Sequence, residues 1–337
     1  MLFPPHARVW TGRLLLLTLV VSALVAPWTF GPVHLQLGTQ MLCLLALAYL
    51  WNLLAGYANI MVIGQHALVG MGAYAFYGCS VLLEWPLLQS LLGSLVVGLL
   101  AGILMLALIF QLRDAYLAVG SWVVAETLML ACTKFDAFGA GSGMGLPLDL
   151  VKRLGRNPTD RAIAIYTLVA LVTALIAVSV YLLMRSRIGL ALGAMRDNEE
   201  GAASIGVNTV RARILCFLWA APLTGLMGAL IALQKLRISP ASSFSMTDWT
   251  IYVLFIVVIG GLGSLEGPIL GTLLFFVMRE FLQDLGVWYL ILLGALAIAV
   301  ILYEPKGLWG MLRRVLPDDL LPLRHRPPQT KRKPITP

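Results

Sequence analysis

The chain has 337 residues, of which 60% are hydrophobic and 12% charged, with a mean hydropathy of +0.89. Soluble globular domains carry roughly 25% charged residues, so a water-soluble fold is excluded and an integral membrane protein is indicated. The net charge of +8 does not point to nucleic acid, because Lys306, Arg313, Arg314, Arg324, Arg326, Lys331, Arg332 and Lys333 all follow Glu304, in the manner of a cytoplasmic membrane-protein tail.

Apolar runs recur along the whole length, far beyond what one signal peptide would give. Arg8 and Arg13 followed by the run at 14–30, with no clear small-x-small cleavage site, describe a retained first span. Ten passes are predicted, at 13–30, 36–56, 58–82, 87–110, 115–133, 161–184, 212–236, 250–263, 266–284 and 286–303. Helices are expected, because an unpaired backbone group in hydrocarbon is costly and the runs are too long and unbroken for barrel strands. The fold class is therefore an all-α integral membrane protein with about ten transmembrane helices (8–10), some short or broken. The eighth and ninth passes are short and split by the run Gly260–Pro268, so one of them has the character of a re-entrant segment.

With ten passes both termini share a side. Placing them in the cytoplasm assigns 16 of the 24 Lys and Arg to cytoplasmic segments: Arg8, Arg13, Arg113, five between 185 and 213, and eight in the tail. This bias follows the positive-inside rule. Residues 1–312 are expected to form one transmembrane domain, with a cytoplasmic loop at 185–213, and the basic, Pro-rich stretch 313–337 is expected to be disordered.

In chain order, the first polar signal is Gly64–Gln65–His66 with Gly70 and Gly72, at the third pass. Small residues let membrane helices approach closely, and they also permit broken helices whose backbone lines a pathway. Gly260, Gly261, Gly263, Gly267 and Gly271 form a second cluster, and a symmetry between the two fits an inverted repeat. Glu126 lies inside the fifth pass, where a charge costs about 2.5–3.5 kcal/mol on insertion scales. It must face the bundle interior, pair or protonate. For both His66 and Glu126, a structural hydrogen-bonding role and a place on a solute pathway stand side by side. The outside segment 134–160 is glycine-rich, either a flexible connector or a lid over a mouth.

The densest polar stretch is Arg196–Asp197–Asn198–Glu199–Glu200–Gly201–Ala202–Ala203–Ser204–Ile205–Gly206. Asp197 reads as an N-cap with Glu200 completing a capping-box-like pair, and Glu199 and Glu200 suit the positive end of the helix dipole. Ala202, Ala203 and Ile205 give a small apolar face, Gly206 suits a left-handed ending, and Thr209 can cap the next span. A short helix of about two turns follows, either a solvated connector or a plug for a groove on a partner. Cys43, Cys79, Cys132 and Cys216 lie in apolar runs without metal-ligand spacing and read as packing residues. No phosphate loop, Gly-x-Ser-x-Gly or His-Glu-x-x-His occurs. The chain is therefore read as a non-enzyme without a cofactor, and any ATP that drives it is bound by another subunit.

Several segments in order resemble the permease subunits of branched-chain amino acid ABC importers, in the LivM-like branch. They are Gly56–Tyr57–Ala58 leading to Gly64–Gln65 and Gly70–Met71–Gly72–Ala73–Tyr74; Ala115–Tyr116–Leu117–Ala118 followed by Glu126; Gly141–Ser142–Gly143–Met144–Gly145–Leu146; Gly189–Leu190–Ala191–Leu192 with the stretch from Arg196 to Asn208; Ser239–Pro240; Gly260–Gly261–Leu262–Gly263–Ser264 with Gly267–Pro268; and Pro305–Lys306–Gly307–Leu308. Two departures are Gly201, which interrupts the acid-to-alanine run, and Ser121–Trp122, which stands in an expected Thr- and Leu-rich stretch.

The resemblance implies that Arg196, Asp197, Asn198, Glu199, Glu200, Ala202, Ala203 and Gly206 form a loop that docks into a cytoplasmic ATPase. It further implies a second, LivH-like permease, two ATPase subunits, an external solute-binding protein and a bacterial inner-membrane location. A small polar solute would pass Gln65, His66, Gly70, Glu126 and Gly263. Importers of urea and short amides use related permeases, and a self-contained ion-coupled carrier with Glu126 as its coupling group is the reading from another class.

Overall fold

A computed structural model describes residues 27, 31–112, 114–155, 157–282, 286–304 and 306–315. The expected first pass at 13–30, and with it the placement of the termini, falls almost wholly outside these residues, as does the tail from 316. The architecture is all-α, with one two-stranded ribbon among the described residues.

The helices follow the apolar runs. Helix α1 (Pro32–Asn52) starts with proline at its first position, where a missing N–H removes nothing, and continues through a π-helical turn to Tyr57. Then come α2 (Gln65–Tyr77, extended by a π-helical turn to Leu82), α3 (Leu87–Ile109), α4 (Asp114–Cys132), the short α5 (Leu148–Leu154) and α6 (Pro158–Arg185). Helices α7 (Arg187–Asp197) and α8 (Glu199–Ser204) lead to α9 (Thr209–Lys235). The second half carries α10 (Pro240–Ser243), α11 (Tyr252–Gly260), α12 (Gly267–Leu282), α13 (Val287–Tyr303) and α14 (Gly307–Val315). Helix α14 runs past the expected domain boundary at 312.

Among the described residues, six helical stretches are long and apolar enough to cross a membrane, or seven if the α13–α14 pair, bent by 45°, counts as one. Ten spans are therefore not all present as full-length helices. Helix α12, at 16 residues, falls short of the roughly 20 that a bilayer core requires. The eighth pass begins at Pro240 rather than 250: Ser239 Oγ accepts the N–H of Ser242, Pro240 takes the first helical position, and the stretch runs to Gly260.

The centre of the bundle is built on glycine. Helix α9 lies against α2 and α3 so closely that a Cβ at Gly72 would sit 1.9 Å from Gly225 O, one at Gly228 1.9 Å from Val69 O, and one at Gly98 3.0 Å from Gly225 Cα. The close-packing reading of Gly70 and Gly72 holds, since the Phe244 ring fills the space a Gly70 side chain would need.

Two non-helical breaks, at 58–64 and 261–266, interrupt the bundle, and several of their backbone groups find side-chain partners, as buried backbone requires. Trp51 Nε1 donates to Val62 O (2.8 Å), Arg213 Nε to Ala58 O (3.2 Å), and Ser121 Oγ accepts from the amides of Ile63 (3.0 Å) and Gly64 (3.1 Å). Buried Asn52 clamps the second break, its Oδ1 accepting Gly263 N–H (2.8 Å) and its Nδ2 donating to Ser264 O (2.7 Å). A Cβ at Gly56 would sit 2.5 Å from Gly263 N, so the second break lies against the residues that open the first. The two glycine-rich stretches that the sequence sets apart therefore meet in the fold.

The 134–160 segment is a folded cap rather than a flexible connector. Strand β1 (Met144–Gly145) pairs antiparallel with β2 (Arg237–Ile238), and Phe138 packs on Tyr74, ring centroids 5.3 Å apart. Tyr77 Oη donates to Met144 Sδ at 3.3 Å. Cys43, Cys132 and Cys216 are buried and Cys79 half-buried, all as free thiols.

Candidate functional site: the capped segment 186–213

The segment between α6 and α9 is fixed by a cap at every junction. Ser186 Oγ accepts the amides of Ile188 (3.2 Å) and Gly189 (3.4 Å) to open α7. Asn198, with φ −162° and ψ 110°, opens α8, and its Oδ1 accepts Gly201 N–H at 2.9 Å. Asp197 is instead the last residue of α7, so the expected Asp197–Glu200 capping box is replaced by an Asn198 cap one position later. A carboxamide oxygen serves here as well as a carboxylate, and the acids Glu199 and Glu200 still occupy the first turn.

Gly206, at φ +90°, ends α8. Its N–H bonds Ala203 O (3.0 Å) and that of Val207 bonds Ala202 O (3.1 Å), the paired closure of a Schellman motif. Asn208 Oδ1 then accepts Arg211 N–H at 2.9 Å, so Asn208, not Thr209, caps α9.

One face of the segment anchors inward. Leu192, Met195 and Ala202 are buried, so Ala202 belongs to the core and not to the outer apolar face expected for it. Arg213 Nη2 meets Glu199 Oε2 at 2.6 Å, and Arg196 Nη1 donates to Gly263 O at 2.8 Å with its guanidinium 5.5 Å from the Tyr57 ring centroid. The other face is open. Leu190 and Ile205 are each 78% exposed, and Ala203, Ser204 and Glu200 lie beside Ile205 on the surface. The sequence marks Ile205 as part of a small apolar face but gives no comparable signal for Arg213, Asn52 or Leu190. An isoleucine just before a helix-ending glycine is the sequence signal that marks Ile205.

The expected pathway residues separate into two places. Gln65, His66 and Glu126 come together near the start of α2. Gln65 Nε2 donates to Leu47 O (3.2 Å), His66 Nδ1 lies 3.1 Å from Thr250 Oγ1, and His66 Nε2 lies 3.8 Å from Glu126 Oε1. Trp122 Nε1 donates to the same Glu126 oxygen at 3.1 Å. Gln65 Oε1 and His66 Nε2 are buried without a hydrogen-bond partner among the described residues. Glu126 is not in the bundle interior. Its side chain is 36% exposed on α4, a helix with only 17% of its apolar window buried, and it is accommodated by pairing at the rim. Gly70 packs beneath Phe244, while Gly263 belongs with Arg196.

Several helices long and apolar enough to cross a membrane, with a polar, capped segment between two of them, describe a multi-pass membrane protein. Residues 35–301 match the family model described as "Branched-chain amino acid transport system / permease component", and the chain belongs to that family. It is 28% identical to the high-affinity branched-chain amino acid transport system permease protein LivM of Salmonella typhimurium, over 89% of this chain and 76% of that protein. Against LivM of Escherichia coli the identity is 27% with the same coverage. Against the probable LivM of Methanocaldococcus jannaschii it is 26%, over 68% of this chain and 69% of that one. No solved structure matches.

Proposed function

We propose that this chain is the inner-membrane permease subunit of an ATP-driven importer for branched-chain amino acids, and that segment 186–213 couples a cytoplasmic ATPase to solute passage. One observation carries the coupling role: the α7–α8 segment is capped at each junction, anchored inward through Leu192, Met195 and Ala202, and left with Leu190 of α7 and Ile205, just past α8, exposed. Two exposed aliphatic side chains on a segment capped at each junction suit a groove on a partner. The relatives' names supply the solute class. The remaining parts follow from the family: a second, LivH-like permease, two ATPases that bind the ATP, and an external solute-binding protein, with both termini of this chain in the cytoplasm. Gln65, His66 and Glu126 are the candidate solute path on this subunit, and Gly70 shapes the packing behind them.

Docking is tested by Glu200→Lys combined with Ile205→Asp, two exposed positions that spare the Glu199–Arg213 pair. The variant should reach the membrane at wild-type level, lose co-purification of the ATPase and lose uptake altogether. Retained uptake in that variant would sink the docking role. Uptake by this chain alone, collapsed by uncouplers and indifferent to ATP, would mark an ion-coupled carrier instead.

A further inference from the structure

Segment 186–213 reaches the two breaks in the bundle through two arginines, one on each side of α8. Arg196, just before it, donates from Nη1 to Gly263 O in the middle of the 261–266 break. Arg213, just after it, holds Glu199 of α8 and donates from Nε to Ala58 O at the start of the 58–64 break. Both contacts end on backbone carbonyls, so a displacement of α8 is felt by the main chain of each break. Arginine suits this task because its planar fork holds several acceptors at once: Arg196 also bonds Asp197 Oδ1 (3.2 Å) and lies over Tyr57.

Breaks are where such a pull takes effect. A helix resists bending because every amide is tied to the turn below, while a break moves by exchanging a few side-chain bonds. Gly263 has φ +73°, and its neighbourhood is tight: a Cβ there would lie 2.9 Å from Gly56 O and 3.2 Å from Arg196 Cδ. Asn52 ties the 261–266 break to the end of α1. The break is thus held from one side by Asn52 and from the other by Arg196.

We infer that Arg196 is a positioning residue that tethers the docking helix to the Gly263 break and carries ATPase-driven motion into the bundle, with Arg213 as its counterpart on the other break. This rests on the importer reading above, yet it separates Arg196 from the docking surface to which sequence alone assigned it.

The test is Arg196→Gln in the assembled importer, with three readouts: ATPase co-purification, solute-independent ATP hydrolysis, and leucine taken up per ATP hydrolysed. Co-purification and basal hydrolysis are expected at wild-type level, while uptake per ATP falls about tenfold, the scale of one charge-assisted hydrogen bond lost from the coupled state. Arg196→Lys, which keeps one donor for Gly263 O, is expected to recover part of the uptake. Asn52→Asp, far from the docking face, removes the donor to Ser264 O and should reproduce the uncoupling, and it keeps the question open to measurement if Arg196→Gln fails to reach the membrane. Wild-type uptake per ATP in Arg196→Gln overturns the tether. Loss of the ATPase from that variant does so as well, by making Arg196 a docking residue. Absence of the ATPase from the wild-type complex defeats the importer reading itself, and the tether with it.

Discussion

Gly72→Leu should leave no folded permease to purify. A side chain at this position has nowhere to go, because its first carbon would already lie 1.9 Å from Gly225 O, on the backbone of α9. A rotating side chain can yield a few tenths of an ångström, but a carbonyl in a helical ladder cannot. The whole of α9 would have to lift from α2, breaking the facing contact of Gly228 on Val69 O and the Gly98–Gly225 approach on α3. Overpacking in a core typically costs about 1–3 kcal/mol when side chains can adjust. Here backbone must part from backbone across three helices, so the loss exceeds that range and is comparable to the entire stability of a domain. The expected result is no monodisperse species on size exclusion in detergent and no cooperative melting transition. Gly193→Leu on α7, where a Cβ meets nothing within 4 Å, is the control and should melt as wild type does. A Gly72→Leu protein that melts with its wild-type midpoint would mean that this three-helix contact is not part of the fold.

The glycine contacts show what the sequence could and could not reveal. Hydropathy located the long helices to within a few residues, because burial in lipid depends on composition along one stretch of chain. Close packing was one of two readings that Gly70 and Gly72 allowed, the other being a broken helix, and the fold takes the first. Which helix they meet was not legible, because Gly225 lies far along the chain and nothing local encodes it. The eighth pass was misread for a related reason. Ser242, Ser243, Ser245 and Asp248 lower the hydropathy ahead of 250, yet Ser239 and Pro240 start the helix by capping and fixed geometry. Asn198 and Asp197 are adjacent and both good caps, so local chemistry could not choose between them. The contact that ties segment 186–213 to the bundle, Arg196 to Gly263, spans 67 positions and leaves no periodic trace. Local signals are written in local sequence, while couplings between distant breaks appear only once the chain is folded.

Glu126→Gln should assemble normally and transport poorly. The substitution keeps the shape and the acceptor for Trp122 Nε1, so the local hydrogen bond at 3.1 Å survives. What it removes is the negative charge, on a helix face that this chain leaves 36% open at that side chain. A carboxylate within a membrane helix is costly, and charges retained there mark solute or ion pathways by default. If Glu126 serves only to satisfy Trp122 and His66, the carboxamide does so as well, and uptake stays unchanged. If it meets the ammonium group of a passing amino acid, the loss is one charge-assisted contact, roughly 1.5–3 kcal/mol or about 10–100-fold in transport. We expect the second outcome, with ATPase co-purification and melting midpoint untouched. His66→Gln makes the complementary case, because His66 is buried and faces Glu126 from behind. It should reduce uptake less than Glu126→Gln does, by loosening the hold on Glu126 from behind. Equal uptake by wild type and Glu126→Gln, measured on the same assembled complex, would return Glu126 to a structural role and move the solute path elsewhere on the bundle.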